Sequence, residues 1–198
     1  RQKGISSEAV RKFIHIGVSN WWFILIAFFD SLAAALIGPV LFIITNAIAV
    51  FSGVANTLGI VDRRRNLGLI YFPVTLLILV ALGYAQVIPL WASGMGIVTM
   101  GYGDGLAALI GKRWGTRRMS SGKSVLGSAV MFTVTMLVVC GFSIGYALPG
   151  LWTLRWWISL VVIAACASLL EAYTPGGLDN LTVPLGTALL ACLLLGCV

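Results

Sequence analysis

Between Gly101 and Leu148 the chain reads GYGDGLAALIGKRWGTRRMSSGKSVLGSAVMFTVTMLVVCGFSIGYAL. From Val125 onward this stretch carries no charge and is long enough to cross the roughly 30 Å hydrocarbon core of a bilayer as a helix. Its first half sets one acid among glycines, then adds five cations and two small hydroxyl clusters. Hydrocarbon entered directly from a polar, basic loop decides the class of fold: a membrane helix with chemistry at its mouth.

The rest of the chain repeats the apolar half. Of 198 residues, 60% are hydrophobic and 10% are charged, and mean hydropathy is +1.02. Soluble domains carry about a quarter charged residues, so the globular class is excluded. The expected fold is all-α, a polytopic membrane helical bundle of about seven transmembrane helices. They are expected at Phe13 to Phe29, Leu32 to Phe51, Gly68 to Ala85, Val87 to Gly111, Val125 to Leu148, Leu154 to Leu170 and Leu181 to Val198. Residues 1–198 read as one integral membrane catalytic domain, because no connection is long enough to fold separately. The first apolar run follows a basic leader and reads as a retained span rather than a cleaved signal.

All the Lys and Arg except Arg155 fall into three groups: Arg1, Lys3, Arg11 and Lys12; Arg63, Arg64 and Arg65; and Lys112, Arg113, Arg117, Arg118 and Lys123. With seven spans these groups share one side, which the positive-inside rule makes cytoplasmic. The net charge of +7 therefore reads as topology and headgroup contact, and nucleic acid is not an expected partner. Five of the six acids, Glu8, Asp62, Asp104, Glu171 and Asp179, lie on the same side. Hydropathy does not require that segregation, and it favours one charged working surface. Cys140, Cys166, Cys192 and Cys197 lack metal-ligand spacing and read as small core residues. Trp21, Trp22, Trp91, Trp152, Trp156 and Trp157 read as an interfacial aromatic belt.

Depth narrows the site. Asp104 lies about 25 Å along the fourth span at 1.5 Å per residue, close to its cytoplasmic end. Glu171 reaches the same level on the sixth span, and His15 starts the first. Ionisable groups half-buried in lipid are costly and usually face one another across a site. Small residues for helix packing account for Gly101, Gly105, Gly111 and Gly115, but not for the acid at Asp104, which reads as a metal ligand. Gly122-Lys123-Ser124 followed by Gly127-Ser128 at a helix start suits phosphate, because free N–H groups and the helix dipole face it. A P-loop is excluded: the earlier glycine is replaced by Arg117 and no strand precedes it. Arg11, Lys12 and His15 share a helix face. Asp179 and Asn180 begin the last helix, as an N-cap or as a metal or nucleotide contact.

Taken in order, R-K-x-x-H at Arg11-Lys12-His15, G-D-x-x-A at Gly103-Asp104-Ala107, G-x-x-x-G at Gly111 and Gly115, K-S-x-x-G-S at Lys123-Ser124-Gly127-Ser128 and D-N-x-x-x-P at Asp179-Asn180-Pro184 resemble the CTP-dependent lipid-alcohol kinases. That family comprises the dolichol, phytol and farnesol kinases and the yeast-type diacylglycerol kinase, and it is distantly related to the CDP-diacylglycerol synthases. The resemblance implies transfer of the γ-phosphoryl group of CTP to the hydroxyl of a membrane lipid alcohol. It implies Mg²⁺ held by Asp104 and Asp179, and a nucleotide site of Arg11, Lys12, Lys112, Arg113, Arg117, Lys123, Ser124, Gly127, Ser128 and Asn180. Asp104, His15 and Glu171 are candidates for the catalytic base. The expected partners are a lipid alcohol and a nucleoside triphosphate, with oligomeric state, a homo-oligomer included, left open. The alternative is cytidylyl transfer to a lipid phosphate, although the histidine and arginine of the synthase C-terminal signature are missing near Gly176-Gly177-Leu178-Asp179-Asn180. A transporter would place its ionisable groups near the midplane and show repeat symmetry; neither is visible in the sequence.

Overall fold

The computed structural model describes residues 7–53 and 63–196, without the side chains of residues 7–8 and 63–66. Arg1, Lys3, Asp62 and Cys197, and the side chains of Glu8 and of Arg63 to Arg65, therefore lie outside the described set. Among the described residues there are nine α-helices: α1 Ser7–Ser19, α2 Trp21–Phe28, α3 Leu32–Phe51, α4 Arg63–Tyr84, α5 Leu90–Val98, α6 Gly105–Trp114, α7 Val125–Gly145, α8 Leu154–Tyr173 and α9 Asp179–Leu195. A π-helical segment, Thr99–Asp104, joins α5 to α6 without a break. Only Asn20 separates α1 from α2, so the nine helices form seven rods, the number read from hydropathy. Four helical stretches are unbroken and apolar enough to cross a membrane on their own: Leu32–Phe51, Leu67–Tyr84, Val125–Gly145 and Leu154–Tyr173. The chain is an integral membrane protein of the all-α, polytopic class.

Helix starts follow local chemistry. Ser31, Ser124 and Thr153 are extended residues whose hydroxyls accept from Ala34, Gly127 and Trp156 N–H groups, respectively, filling donors that the first turn leaves orphaned. The break at Asn20 is stabilised by its own side chain, which donates to Ile16 O at 2.9 Å and accepts from Tyr102 Oη at 2.9 Å. The second bond ties the α1–α2 junction to the π segment.

Between membrane helices there is little hydrophobic drive, so association depends on close packing and polar contacts. Two proline-bearing helices show the polar half of this. Pro73 in α4 cannot donate to Leu69 O, four residues back, and Asn46 Nδ2 of α3 donates there at 3.1 Å. Pro184 in α9 leaves Asn180 O without its helical donor, and Thr75 Oγ1 of α4 supplies one at 2.9 Å. The core centres on Trp22, Phe72, Leu76, Leu79 and Met100, and a second cluster joins Met95, Val139, Trp156, Leu160 and Ile163. Trp22 and Trp156 are 0% and 2% exposed, which corrects their assignment to a belt. Their rings fill helix crossings, whereas Trp152 and Trp157 are open to the surroundings as a belt requires. Along α3, Ile37, Leu41, Ile44 and Ile48 form an exposed stripe at helical spacing, the face expected to meet lipid.

Candidate active site

At one end of the bundle a cleft of about 1040 Å³ is walled by α1, α4, the end of the π segment, α6, the loop to α7, the α7 N-terminus, the end of α8 and the turn into α9. Two ion-pair groups face it. Lys12 Nζ donates to Asp104 Oδ2, both side chains buried. Lys123 Nζ lies 2.5 Å from Glu171 Oε1 and 3.2 Å from Asp179 Oδ2, and also donates to the Glu171 carbonyl. Burial works against the Lys123 charge, but the carboxylates of Glu171, Asp179 and Asp104 outweigh it and hold its pKa above the usual lysine value. Residues far apart in sequence therefore line one charged cleft, and where they are withdrawn from water their electrostatic interactions are stronger.

The π segment sets Asp104. Its last residue faces α1 because three glycines let neighbours come close: a Cβ on Gly101 would lie 2.1 Å from Ser19 Oγ, on Gly103 2.6 Å from Met131 Sδ, and on Gly105 2.8 Å from Ile16 Cγ1. All three glycines are accounted for by packing, Gly103 included, and their close approach carries the acid to Lys12. π turns recur at functional sites because an extra residue re-aims a side chain without ending the helix.

The loop after α6 is a tight hairpin. Met119 N donates to Lys123 O at 2.8 Å, Gly122 N to Met119 O at 2.9 Å and Val125 N to Arg117 O at 3.0 Å, with Gly122 at φ +83°, a conformation glycine takes without strain. Neighbouring residues in extended chain point to opposite faces, and here Arg118 lines the cleft while Arg117 does not. Lys112 lines it too; Arg113 instead lies over the Trp114 ring, 4.8 Å from its centre. Sequence reasoning missed Arg118 because alternation has meaning only once the hairpin is known.

Ser124, Gly127 and Ser128 reach the cleft, but the amides of Val125, Gly127 and Ser128 are already bonded to Arg117 O, Ser124 Oγ and Ser124 O. The helix start is capped from within, and side chains form most of what it offers a ligand; Ser128 Oγ is buried without a partner. Gly127 is pressed against α6, where an added Cβ would lie 3.0 Å from Ala107 O, and a Cβ on Gly111 would meet Ser124 Oγ at 2.4 Å. Arg11 lines the cleft, its Nε buried and unpartnered. His15 does not line it: the ring stacks on Phe72 at 5.1 Å, with Nδ1 4.0 Å from Asp104 Oδ2 and neither nitrogen hydrogen-bonded. Asp179 is not an N-cap. Leu178 precedes the helix without a side-chain cap, and Asp179 Oδ1 accepts from Asn180 N and Nδ2, both at 3.1 Å.

Among the described residues no three His, Cys, Asp or Glu side chains form a ready-made metal cage. Mg²⁺ does not need one, since it typically takes one or two carboxylates and completes its shell with water and phosphate oxygens. Asp104 and Asp179, which both line the cleft, fit that donor set.

The chain is 32% identical to a phytol kinase of Synechocystis sp. over 194 residues, covering 93% of this chain and 78% of that protein. It is 32% identical to dolichol kinase EVAN of Arabidopsis thaliana over 123 residues, 54% of this chain and 21% of the relative. A probable chloroplastic phytol kinase of Oryza sativa matches at 31% over 139 residues, 65% of this chain and 42% of the relative. No family model matches. No solved structure matches either. Similarity at 32% identity over 93% of the chain, whose acids and lysines meet in one cleft, makes this protein a member of the lipid-alcohol kinase family that includes phytol kinase and dolichol kinase.

Proposed function

We propose that the protein transfers the γ-phosphoryl group of CTP to the hydroxyl of a membrane isoprenoid alcohol or diacylglycerol, at a site on the cytoplasmic face. The observation that carries this reading is the pairing of Asp104, Glu171 and Asp179 with Lys12 and Lys123 around a cleft rimmed by Arg11, Lys112 and Arg118. CTP is supported by the resemblance of the motifs, and the cytoplasmic face by the distribution of Lys and Arg.

Asp104 and Asp179 would hold Mg²⁺, which when bound neutralises charge on the polyphosphate. Lys123, Lys112, Arg118 and Arg11 clamp the phosphoryl oxygens, and such positioning and charge stabilisation supply most of phosphoryl-transfer catalysis. The lipid oxygen forms its bond to the γ-phosphorus as the bond to the β–γ bridging oxygen breaks. CDP leaves, and the hydroxyl proton passes to a carboxylate. His15 lies behind the cleft wall and acts through Asp104; with Asp104 assigned to the metal, Glu171 takes the proton.

The test is product analysis. Purified protein incubated with Mg²⁺, each γ-labelled nucleoside triphosphate and a panel of phytol, farnesol, polyprenols, diacylglycerol and phosphatidate should yield labelled lipid phosphate and CDP from CTP and an alcohol. Pyrophosphate and a CDP-lipid, formed from a lipid phosphate, would replace this reading with cytidylyl transfer.

A further inference from the structure

The carbonyl that Pro184 leaves without a helical donor belongs to Asn180, in the first turn of α9 at the cleft. The donor it receives comes from Thr75, a fully buried hydroxyl on α4 that takes no part in the cleft wall. Thr75 Oγ1 also lies 3.0 Å from Tyr71 O, but a regular helix already gives that carbonyl the Thr75 N–H. A hydroxyl has one proton, and the orphaned acceptor has the stronger claim on it.

What this bond holds is the residue that orients Asp179. Asn180 directs both its backbone N–H and its Nδ2 at Asp179 Oδ1, each at 3.1 Å, and each is shared with Gly177 O, at 3.2 and 2.8 Å respectively. With Oδ1 held, Oδ2 is left for Lys123 at 3.2 Å. Gly68 brings α4 against this turn, since a Cβ there would lie 3.0 Å from Asn180 Nδ2.

We propose that Thr75 is a positioning residue for the active site: by tying down the carbonyl that Pro184 frees, it fixes the Asn180 peptide and so the direction of the Asp179 carboxylate. The inference rests on the reading of Asp179 as a ligand of the metal–nucleotide. It makes a specific demand of Pro184. Replacing that proline restores an N–H to the helix, satisfies Asn180 O internally and removes the need for Thr75.

Four variants of the full chain test this: Thr75→Val, Thr75→Ser, Pro184→Ala and the Thr75→Val/Pro184→Ala double. With γ-labelled CTP and phytol as probes, T75V should lower kcat about tenfold and raise half-saturating Mg²⁺ about fivefold, with phytol KM within about twofold, as for a misplaced ligand. T75S should keep both within about twofold, because the hydroxyl is retained. In the P184A background T75V should change neither by more than about twofold, a non-additivity that general loss of packing does not produce. Equal losses in both backgrounds, or wild-type behaviour of T75V, would overturn the proposal. If T75V alone fails to fold, recovery of folding in the double variant supports it and continued failure overturns it. If the wild type transfers no label, the kinase reading fails separately. Hydrogen exchange of residues 176–183 then decides: faster exchange in T75V but not in the double variant supports the tie, and any other pattern overturns it.

Discussion

At Asp104 one oxygen accepts the Lys12 ammonium and has His15 Nδ1 4.0 Å away, inside a site that is almost fully buried. Replacing it with Asn keeps size and a hydrogen-bond acceptor but removes the charge that metal and lysine both need. Asp104→Asn should lower kcat at least about 1,000-fold with an unchanged elution profile in size-exclusion chromatography; turnover within tenfold of wild type would remove Asp104 from the mechanism. The arginines separate more finely. Arg118→Ala should raise the nucleotide KM about tenfold and Arg117→Ala by less than about twofold, measured with CTP under saturating lipid alcohol. This is also where the sequence runs short. Lys12, Asp104, Lys123, Glu171 and Asp179 were legible because acids and bases at one membrane edge have few structural reasons to be there. Which cations of the basic loop turn inward was not legible, since that depends on hydrogen bonds of the Arg117–Val125 hairpin that no charge pattern encodes. His15 was legible as lying at the depth of Asp104, but its stacking on Phe72, which takes it out of the cleft wall, is a tertiary contact.

At the scale of elements, the π segment and the α6–α7 crossing build the site from small residues. Gly111 and Gly127 face each other so closely that a methyl on Gly111 would meet Ser124 Oγ at 2.4 Å and Gly127 Cα at 3.0 Å. Gly111→Ala should therefore destabilise the protein by about 1–3 kcal/mol, the usual effect of overpacking, seen as a lower thermal midpoint in detergent. The Gly111–Gly127 approach also holds Ser124 and the hairpin that delivers Lys123, so nucleotide affinity should fall with it. A midpoint equal to wild type would show that α6 can retreat from α7 at no cost. Rod number and order were readable from hydropathy alone, because about 20 apolar residues have only one stable form in a bilayer. The break at Asn20 and the π turn were not, for both are fixed by partners in other helices: Tyr102 for the first, Ser19, Met131 and Ile16 for the second. The side-chain donors to Leu69 O and Asn180 O were equally hidden, although Pro73 and Pro184 announced that donors would be needed.

At the scale of the whole molecule, the bundle is a scaffold for one charged cleft. Single cysteines at exposed Ser121 and Leu154 in a cysteine-free background should react with a membrane-impermeant maleimide from opposite sides, Ser121 from the cytoplasm; labelling of both from one side would break the proposed topology. Lys123 adds a pH signature. Its pKa is raised in the folded protein, so its stabilising ion pairs are fully present below the unfolded lysine pKa of roughly 10.4 and are lost as pH rises through the folded value. The thermal-midpoint advantage of wild type over Lys123→Met should thus be lost in strong alkali, as the lysine gives up its proton. The central claim is that both ion-pair groups serve one polyphosphate, and a structure determined with Mg²⁺ and a non-hydrolysable CTP analogue tests it most directly. Phosphate density is expected between Lys12–Asp104 and Lys123–Asp179, with Lys123 drawn toward phosphate oxygens and Asp104 and Asp179 on the metal. Nucleotide density elsewhere, with both ion pairs unchanged, would contradict it.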